Sequence, residues 1–487
     1  MARGLAARGL RVQSKVLSRV AVLVTAMLSG TACSTLNSVK DTFLGGTSAT
    51  GPERISGFIG ASVADEPRAA LAGREVLALG GSAADAAVAV AMTLAVTLPS
   101  RAGLGSGGAC LAYDPKRDGP GAGSPEVVMF TAPASSGIPA GADRPAAVPM
   151  LARGLFALHA RYGTRSFESL LSPAETLARF GVPASRALVR DLALVAGPLS
   201  MDPNARAVFL PGGQPLAEGG TLQQPDLGAT ISVLRTSGVG DLYQGVLGRK
   251  LETASRQAGG PLSLAELRAG LPRTGPALTV RAGRDMVAFL PPPADGGLAA
   301  AAAFQVLQEN PADVSSAQSR AVGTALRWRS GGGAPEAVLA SGASGGALPN
   351  LPASTSFTTL DRKGGAVTCA LTMGNLFGTG RIAPGTGLLL AASPNTYGVP
   401  LLAAAIAWNA NVRGFRAAVG GSGQEGAALA VAVGMNNALR SNAAMPAAVP
   451  EPGRANAIAC SRYLPDSDGT CSWATDPRGF GLAAASN

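Results

Sequence analysis

The stretch LPASTSFTTLDRKGGAVTCALTMGNLFGTGRIAPGTG, residues 351–387, places five hydroxyl side chains in the six positions from Ser354 to Thr359. A strand-like run and several glycine-bearing turns follow. The whole chain contains a single histidine, His159. A nucleophilic hydroxyl in this stretch would therefore need a base other than imidazole. Threonine-rich segments also form ordinary strands, so a purely structural interpretation stays open at this point.

The composition indicates a large globular protein. The chain has 487 residues, of which 47% are hydrophobic and 14% are charged. This length and hydrophobic content are enough to form one large domain or two modest domains, each with a buried core. Aromatic residues make up only 4% and are not interleaved with basic ones. This composition argues against nucleic acid as a partner.

The N-terminus has the pattern of a signal peptide. Five basic residues, at positions 3, 8, 11, 15 and 19, precede an apolar run from Val20 to Leu28, and small residues follow. These five residues account for half of the net charge of +10. We therefore expect residues 1–32 to direct export and to be removed.

The end of this segment, LSGTAC at 28–33, resembles a bacterial lipoprotein cleavage box in which Cys33 is acylated. Gly30 occupies the position where leucine is usual, so cleavage by an ordinary signal peptidase remains an alternative and would give a secreted protein. Acylation would anchor the protein to the inner or outer membrane, facing the periplasm. Residues 33–58 are predicted to be a tether.

The remaining four cysteines fall into two pairs by context. Cys460 and Cys471 flank a turn-rich loop, which predicts a disulfide in an oxidising compartment. Cys110 and Cys369 lie in apolar strand-like runs, which favours buried free thiols. Their spacing matches no zinc motif, and we expect neither a metal nor a cofactor.

The order of elements predicts an α/β protein with sheets built from both ends of the chain. Ser82 is a candidate N-cap for a buried helix over 83–98. The following GLGSGG, at 103–108, lies between a helix and a strand, which is the reverse of a dinucleotide motif; it predicts a tight turn approached closely by another segment. The Gly/Ala/Ser-rich residues 330–353 are predicted to be a flexible, exposed connector.

Six segments, in order and spacing, resemble the γ-glutamyltranspeptidase family. They are GGSAADAAVAVAMTLAVTLPSRAGLGSGGACLAYD (80–114), VPMLARGLFALHARYG (148–163), SLLSPAETLARFGVPAS (169–185), LPPPADGGLAAAAAFQVLQ (290–308), STSFTTLDRKGGAVTCALTMGNLFGTGRIAPGTGLLL (354–390) and VGGSGQ (419–424). The resemblance implies a four-layer αββα sandwich of the N-terminal-nucleophile hydrolase type. It also implies a precursor that cuts itself into a large-subunit-like region, 59–353, and a small-subunit-like region, 354–487, which together form one domain.

In this family the new N-terminal residue supplies the attacking hydroxyl, and its own α-amine serves as the base. Aligning the family's turn aspartate on Asp361 places Ser354 at the nucleophile position; a slip of one residue would name Thr355 instead. The resemblance further assigns Thr372 as a hydrogen-bond partner of the nucleophile. It assigns the backbone amides of Gly420 and Gly421 to the oxyanion.

The positions that bind the glutamyl head group in the family differ here. The residues that replace the family's arginine, amide, acid and paired serines are Met129, Ser393, Thr396, Leu402 and Ala403. Gly374 replaces an asparagine, although Asn375 is adjacent. Asn375, Arg101 and Arg381 are candidate substrate-binding residues, and the two arginines have a second interpretation as solvated loop residues.

Two hypotheses for function follow. The first is a self-cleaving γ-glutamyltransferase-like amidase or acyltransferase that acts on a small-molecule amide or peptide and does not bind a standard γ-glutamyl group. The second is a catalytically inactive family member that serves as a binding or scaffold lipoprotein of the cell envelope. The state of the bond before Ser354 separates them.

Overall fold

The computed structural model describes residues 54–118, 122–136, 143–348, 353–398, 401–446, 449–465 and 468–486. The predicted signal peptide, Cys33 and most of the predicted tether lie outside these ranges. Within them, no helix is both long enough and apolar enough to cross a membrane.

The first sheet has seven strands and is antiparallel throughout. Its order in space is β17, β1, β9, β10, β2, β3 and β6. The strands are β1 (Gly60–Ala64), β2 (Gly107–Tyr113), β3 (Glu126–Phe130), β6 (Arg273–Pro276), β9 (Ser354–Asp361), β10 (Ala366–Thr372) and β17 (Leu482–Ser486). The strand that begins at Ser354 is therefore an interior strand, held on both sides.

The second sheet has six antiparallel strands in the order β16, β15, β14, β13, β8 and β7. They are β7 (Leu278–Ala282), β8 (Asp285–Phe289), β13 (Ala403–Asn409), β14 (Gly414–Ser422), β15 (Arg454–Leu464) and β16 (Cys471–Thr475). Two short pairs complete the strands: β4 (Val182–Pro183) with β5 (Thr221–Leu222), and β11 (Ile382–Ala383) with β12 (Leu388–Leu389).

Helices cover the outer face of each sheet. Those associated with the first sheet are α1 (Pro67–Ala78), α2 (Ala83–Thr97), α3 (Pro99–Ala102), α4 (Leu151–Tyr162), α5 (Phe167–Phe180), α6 (Arg186–Ser200), α7 (Pro203–Phe209), α8 (Pro225–Ser237), α9 (Asp241–Gln244), α10 (Val246–Gln257) and α11 (Leu264–Ala269). Those associated with the second are α12 (Asp295–Glu309), α13 (Val314–Gly331), α14 (Pro335–Ala340) and α16 (Glu425–Ser441). The short α15 (Pro394–Tyr397) follows β12.

Three apolar cores define four layers. One fills the space between the first sheet and its helices, one lies between the second sheet and its helices, and a third, which includes Leu111 and Ile406, lies between the two sheets. Each sheet thus buries both faces, which explains why β9, β10, β13 and β14 lack the alternation of half-exposed strands. The expected αββα sandwich is confirmed.

The central helix α2 begins where its sequence predicts. Ser82 accepts a hydrogen bond from the Asp85 amide, and the Asp85 carboxylate accepts one from the Ser82 amide, which completes a capping box. All fifteen residues of α2 are buried. Alanine at seven of the fifteen positions lets neighbouring elements approach closely, and the helix ends at Thr97.

The glycine turn before β2 also behaves as predicted. A Cβ atom at Gly107 would lie 2.4 Å from the backbone nitrogen of Ala132, and one at Gly105 would lie 2.3 Å from the carbonyl oxygen of Leu389. Both glycines are therefore needed so that the backbone of neighbouring segments can approach closely, and neither is needed to make room for a ligand.

Two expectations need correction. The connector over 330–353 contains a helix, α14, whose Val338 and Leu339 are buried against the second layer of helices, since proline starts the helix and apolar residues recur along it. Cys110 and Cys369 form a disulfide rather than free thiols, because β2 and β10 pair directly and place the two residues opposite each other. The structure also pairs Cys460 with Cys471, across β15 and β16.

Candidate active site

Ser354 is the first residue of β9 and is fully buried between the two sheets. Its hydroxyl oxygen accepts a hydrogen bond of 3.1 Å from the backbone amide of Gly423, which lies just beyond the end of β14. The Ser354 hydroxyl is thus held against the second sheet, where the chain passes from β14 into α16.

Thr372 lies directly across from Ser354 at the end of β10. Its hydroxyl donates a hydrogen bond of 2.8 Å to the carbonyl oxygen of Ala353 and accepts one of 2.9 Å from the amide of Gly374. The carbonyl of the Ala353–Ser354 peptide bond therefore has a fixed donor on its oxygen, and the neighbouring serine hydroxyl has a fixed donor of its own. The resemblance predicted a contact from Thr372 to the nucleophile; the contact observed is to the preceding carbonyl.

The side chain of Thr355 is engaged elsewhere. Its hydroxyl donates to Asp65 over 2.9 Å, as expected for adjacent strand residues that point to opposite faces. The geometry therefore favours Ser354 over Thr355 as the nucleophile candidate.

Asp65 organises the start of β9 from the adjoining strand end. Its carboxylate also accepts hydrogen bonds from the amide of Ser356, at 3.1 Å, and from the side-chain amide of Asn456, at 2.8 Å. Asn456 in turn donates to the carbonyl and hydroxyl oxygens of Ser356. Sequence analysis missed Asp65 and Asn456, because nothing local links them to residues about 290 and 100 positions away.

The predicted oxyanion glycines lie within β14 rather than at its end. Gly420 and Gly421 lie inside β14 and pair with β13 on one side and β15 on the other, so their backbone groups belong to the sheet. Gly420 instead leaves room for Ser356: a Cβ atom added at position 420 would lie 3.0 Å from the Cβ atom of Ser356. The amide that reaches Ser354 belongs to Gly423.

Gly423 has a backbone that requires glycine. Its φ is +96°, and a Cβ atom there would lie 2.1 Å from the carbonyl oxygen of Pro452. Gln424 follows with a φ of +50°, and α16 begins at Glu425. A turn that leads into a helix N-terminus directs backbone N–H groups toward developing negative charge. The VGGSGQ motif contains the glycine whose amide reaches Ser354, but its spacing did not identify which glycine that is.

The three candidate substrate-binding residues each have a partner within the protein. Arg101 makes a two-pronged ion pair with buried Asp191, at 2.7 Å for each contact. Arg381 pairs in the same way with Asp143, at 2.8 and 2.9 Å, and the pairing lowers the pKa of that carboxyl. The side-chain oxygen of Asn375 accepts a hydrogen bond from the amide of Leu376. Each arginine is therefore paired with an aspartate that is remote in sequence, and the part of the chain that carries it is held to the body of the protein.

A cavity of about 200 Å³ opens beside Thr372. Its wall is neutral, with two threonine hydroxyls among small, proline and leucine residues. The lining residues are Thr131, Ala132, Pro133, Pro293, Thr372, Gly374, Ala391, Ala392, Pro394, Gly398 and Leu402. Met129, at the position of the family's arginine, lines a neighbouring cavity instead.

The single histidine does not supply a base here. The Nε2 atom of His159 lies 2.8 Å from the carbonyl oxygen of Arg165, and the ring packs edge-on to Phe167. Among the residues that the structure describes, no cluster of three or more His, Cys, Asp or Glu side chains is arranged to hold a metal. The chemistry available at the site is a buried serine hydroxyl, an adjoining backbone nitrogen and fixed N–H and O–H donors.

The model of the gamma-glutamyltranspeptidase family matches residues 69–329, more than half of the chain. The chain belongs to this family. The matched range ends before Ser354, so assignment of the nucleophile depends on the geometry described above.

Individual relatives agree with the family. The chain is 32% identical over 219 residues to a glutathione hydrolase proenzyme from Bacillus subtilis, covering 41% of this chain and 36% of that protein. It is 32% identical over 228 residues to an acylase ACY 1 proenzyme from a Pseudomonas species, covering 44% of this chain and 41% of that protein. The aligned region spans well under half the length of the curated relatives.

The fold is shared over a longer range. The crystal structure of a cephalosporin acylase from Bacillus halodurans superposes with a TM-score of 0.70, covering 90% of this chain and 98% of the acylase, at 18% identity. That likeness supports the αββα fold and leaves substrate open.

Proposed function

We propose that this family member cuts itself before Ser354 and then acts as an amidase or acyltransferase with a γ-glutamyltransferase-like mechanism. The observation that carries the proposal is the pair of hydrogen bonds from Thr372 to the Ala353 carbonyl and from Gly423 to the Ser354 hydroxyl. Together they hold the two groups that must react at one buried point.

In the first step the Ser354 oxygen attacks the Ala353 carbonyl carbon. The C–N bond breaks, the serine nitrogen takes the hydroxyl proton, and an ester joins Ala353 to Ser354. Water then hydrolyses the ester, which yields a carboxylate on Ala353 and a free α-amine beside the restored hydroxyl. The Thr372 hydroxyl stabilises the negative charge that develops on the Ala353 oxygen.

In the second step the new α-amine acts as the general base. Its pKa is about 8 in the absence of perturbation, so a useful fraction is unprotonated near neutral pH. It accepts the Ser354 proton as the oxygen attacks a substrate amide carbonyl, and it returns that proton to the leaving amine. Water or a second amine then takes the acyl group from the serine ester.

The proposal includes a changed acyl site. Among the described residues that line the cavity beside Thr372, none carries a charged side chain, and Arg101 and Arg381 are paired with Asp191 and Asp143. A zwitterionic γ-glutamyl head group needs opposite charges to replace its lost hydration. We therefore propose that glutathione is a poor substrate.

Self-cleavage is tested by expressing the full chain and running a denaturing gel under reducing conditions. Wild-type protein and Thr355→Ala should give two fragments, whereas Ser354→Ala should stay intact. Cleavage of Ser354→Ala, or an uncut wild-type chain, would overturn the proposal, and the uncut chain would favour the inactive scaffold.

We also propose that the mature protein is a periplasm-facing lipoprotein acylated at Cys33, on the strength of the LSGTAC sequence. Mass spectrometry of the N-terminal peptide tests this. A diacylglycerol-modified Cys33 supports the anchor, and an unmodified N-terminus at another residue supports secretion instead.

A further inference from the structure

We propose that the acyl group transferred by this enzyme is short, apolar and uncharged. This proposal rests on the function proposed above and adds the class of substrate. The position, wall and size of the cavity beside Thr372 support it.

The cavity is positioned to receive an acyl chain. Thr372 belongs to its wall and also bonds the Ala353 carbonyl oxygen, so the wall begins one hydrogen bond from the carbonyl that Ser354 would attack. A substrate carbonyl that replaces the Ala353 carbonyl after cleavage would direct one of its substituents along this wall. The strand pairing of Ser354 with Thr372 fixes that direction.

The wall rejects charge. Leu402 is fully buried, and Ala391 and Ala392 are nearly so. Thr131 and Thr372 are neutral hydrogen-bonding groups. The described side chains of this wall offer no partner ion to a carboxylate or ammonium, whereas a methylene chain would gain from burial.

The volume sets the length. An apolar cavity of about 150 Å³ binds benzene, which has six heavy atoms, so a cavity of about 200 Å³ suits an acyl group of similar size. A pentanoyl group, which has five carbons and one oxygen, fits this volume. The transfer forms an ester between Ser354 and the acyl carbon while the amide C–N bond breaks, and the departing amine takes the serine proton.

Three p-nitroanilides with the same five-carbon acyl chain test the proposal: pentanoyl, glutaryl and γ-glutamyl. We expect the wild-type kcat/KM for the pentanoyl compound to exceed that for either charged compound by at least about tenfold, which corresponds to about 1.4 kcal/mol. A wild-type enzyme that prefers the glutaryl or γ-glutamyl compound would overturn the proposal while leaving self-cleavage intact.

A charge introduced into the wall should reverse the preference. Thr131 is only half-buried, so Thr131→Arg is expected to fold and to raise the ratio of glutaryl to pentanoyl kcat/KM by at least about tenfold. Leu271→Arg adds the same charge to an exposed position in the neighbouring cavity and should leave the ratio unchanged. An equal effect of both variants would contradict the assignment of the wall.

Binding without turnover separates this proposal from the proposed function. In the cleaved wild-type protein, ligand-observed NMR should show hexan-2-one, a methyl ketone with the shape of pentanamide and no leaving group, bound more tightly than the carboxylate 5-oxohexanoate by about tenfold or more. The opposite ranking, or no binding of hexan-2-one at millimolar concentration, overturns the neutral acyl site and leaves self-cleavage intact.

Discussion

The hydroxyl of Thr372 lies 2.8 Å from the carbonyl oxygen of Ala353 and donates a hydrogen bond to it. This contact crosses between adjacent strands, and it puts a neutral donor on the bond that the proposed mechanism breaks. It also connects the cleavage point to the neutral cavity, since Thr372 contributes to both.

Removing this donor should slow self-cleavage. Thr372→Val keeps the shape of the side chain and loses the O–H group, so we expect cleavage to be slower by about 100-fold, as for loss of one oxyanion donor. Thr372→Ser retains the donor and should restore cleavage to within about tenfold of wild type. The measurement is the half-time of fragment appearance on reducing gels; equal rates for valine and serine would show that the hydroxyl has no such role.

The disulfide between Cys110 and Cys369 should keep the two fragments joined. Cys110 precedes the proposed cleavage point and Cys369 follows it, so cleavage leaves one cysteine on each fragment. Protein produced under oxidising conditions is expected to migrate as one band without reductant and as two bands with it.

A matched pair of variants isolates that disulfide. Cys110→Ser should release the fragments on a non-reducing gel, whereas Cys460→Ser should not, because Cys460 and Cys471 both lie after Ser354. Separation of wild-type fragments without reductant would mean that Cys110 and Cys369 are not bonded in solution.

Asp65 is predicted to be a positioning residue. Its carboxylate accepts hydrogen bonds from Thr355, Ser356 and Asn456. In Asp65→Asn an NH2 group replaces one of the two accepting oxygens and faces these donors, which should destabilise the start of β9 by about 1–3 kcal/mol. We expect kcat to fall by about tenfold with KM nearly unchanged, because the residue touches the nucleophile strand rather than the acyl cavity.

A control for Asp65 is Glu451→Gln. Glu451 is exposed and pairs with Arg454 at the start of β15, so its substitution should have little effect on kcat. If Asp65→Glu keeps a kcat near that of wild type while Asp65→Asn does not, the role of Asp65 is that of a hydrogen-bond acceptor. A rise in the KM of Asp65→Asn with unchanged kcat would argue for direct contact with substrate.

Glu126 should contribute stability that is lost in acid. Burial by itself would raise the pKa of Glu126, but hydrogen bonds from Tyr162, Arg161 and Arg117 outweigh it and lower the pKa to about 2 from its ordinary 4.5. The contribution is therefore complete above about pH 5 and disappears as the pH falls toward 2. From the size of the shift it amounts to about 3 kcal/mol.

Urea unfolding of the wild type and of Glu126→Gln at several pH values measures the contribution of Glu126 to the free energy of unfolding. The free energy of unfolding of the variant should be lower at pH 7, and the difference should shrink between pH 5 and pH 2. Glu309→Gln, at the exposed end of α12, should show a nearly constant difference. A Glu126→Gln difference that does not change with pH would contradict the assigned cause.

Local signals in the sequence predict many elements. The capping box of Ser82 and Asp85 defines the start of α2, and the turn at Asp361 closes β9, where its carboxylate accepts from the Lys363 and Gly365 amides. The family's spacing places Ser354 and Thr372 at matching ends of two strands, and the strand pairing agrees. These features depend on residues within one hairpin or one helix start.

The features that sequence analysis missed depend on long-range packing. Gly423 reaches Ser354 from the other sheet, and Asp65 reaches Thr355 from a strand end 290 residues away. The partners of Arg101 and Arg381 are likewise remote aspartates. The disulfide between Cys110 and Cys369 forms because β2 and β10 are adjacent strands, and no local sequence pattern shows that they are adjacent.

The most direct test of the account is the N-terminal sequence of the smaller fragment of the full-length protein, separated under reducing conditions. The account predicts a fragment that begins Ser-Thr-Ser-Phe, from Ser354 onward, with a free α-amine. A chain that remains continuous through Ala353 and Ser354, or a fragment that begins at another residue, would contradict it.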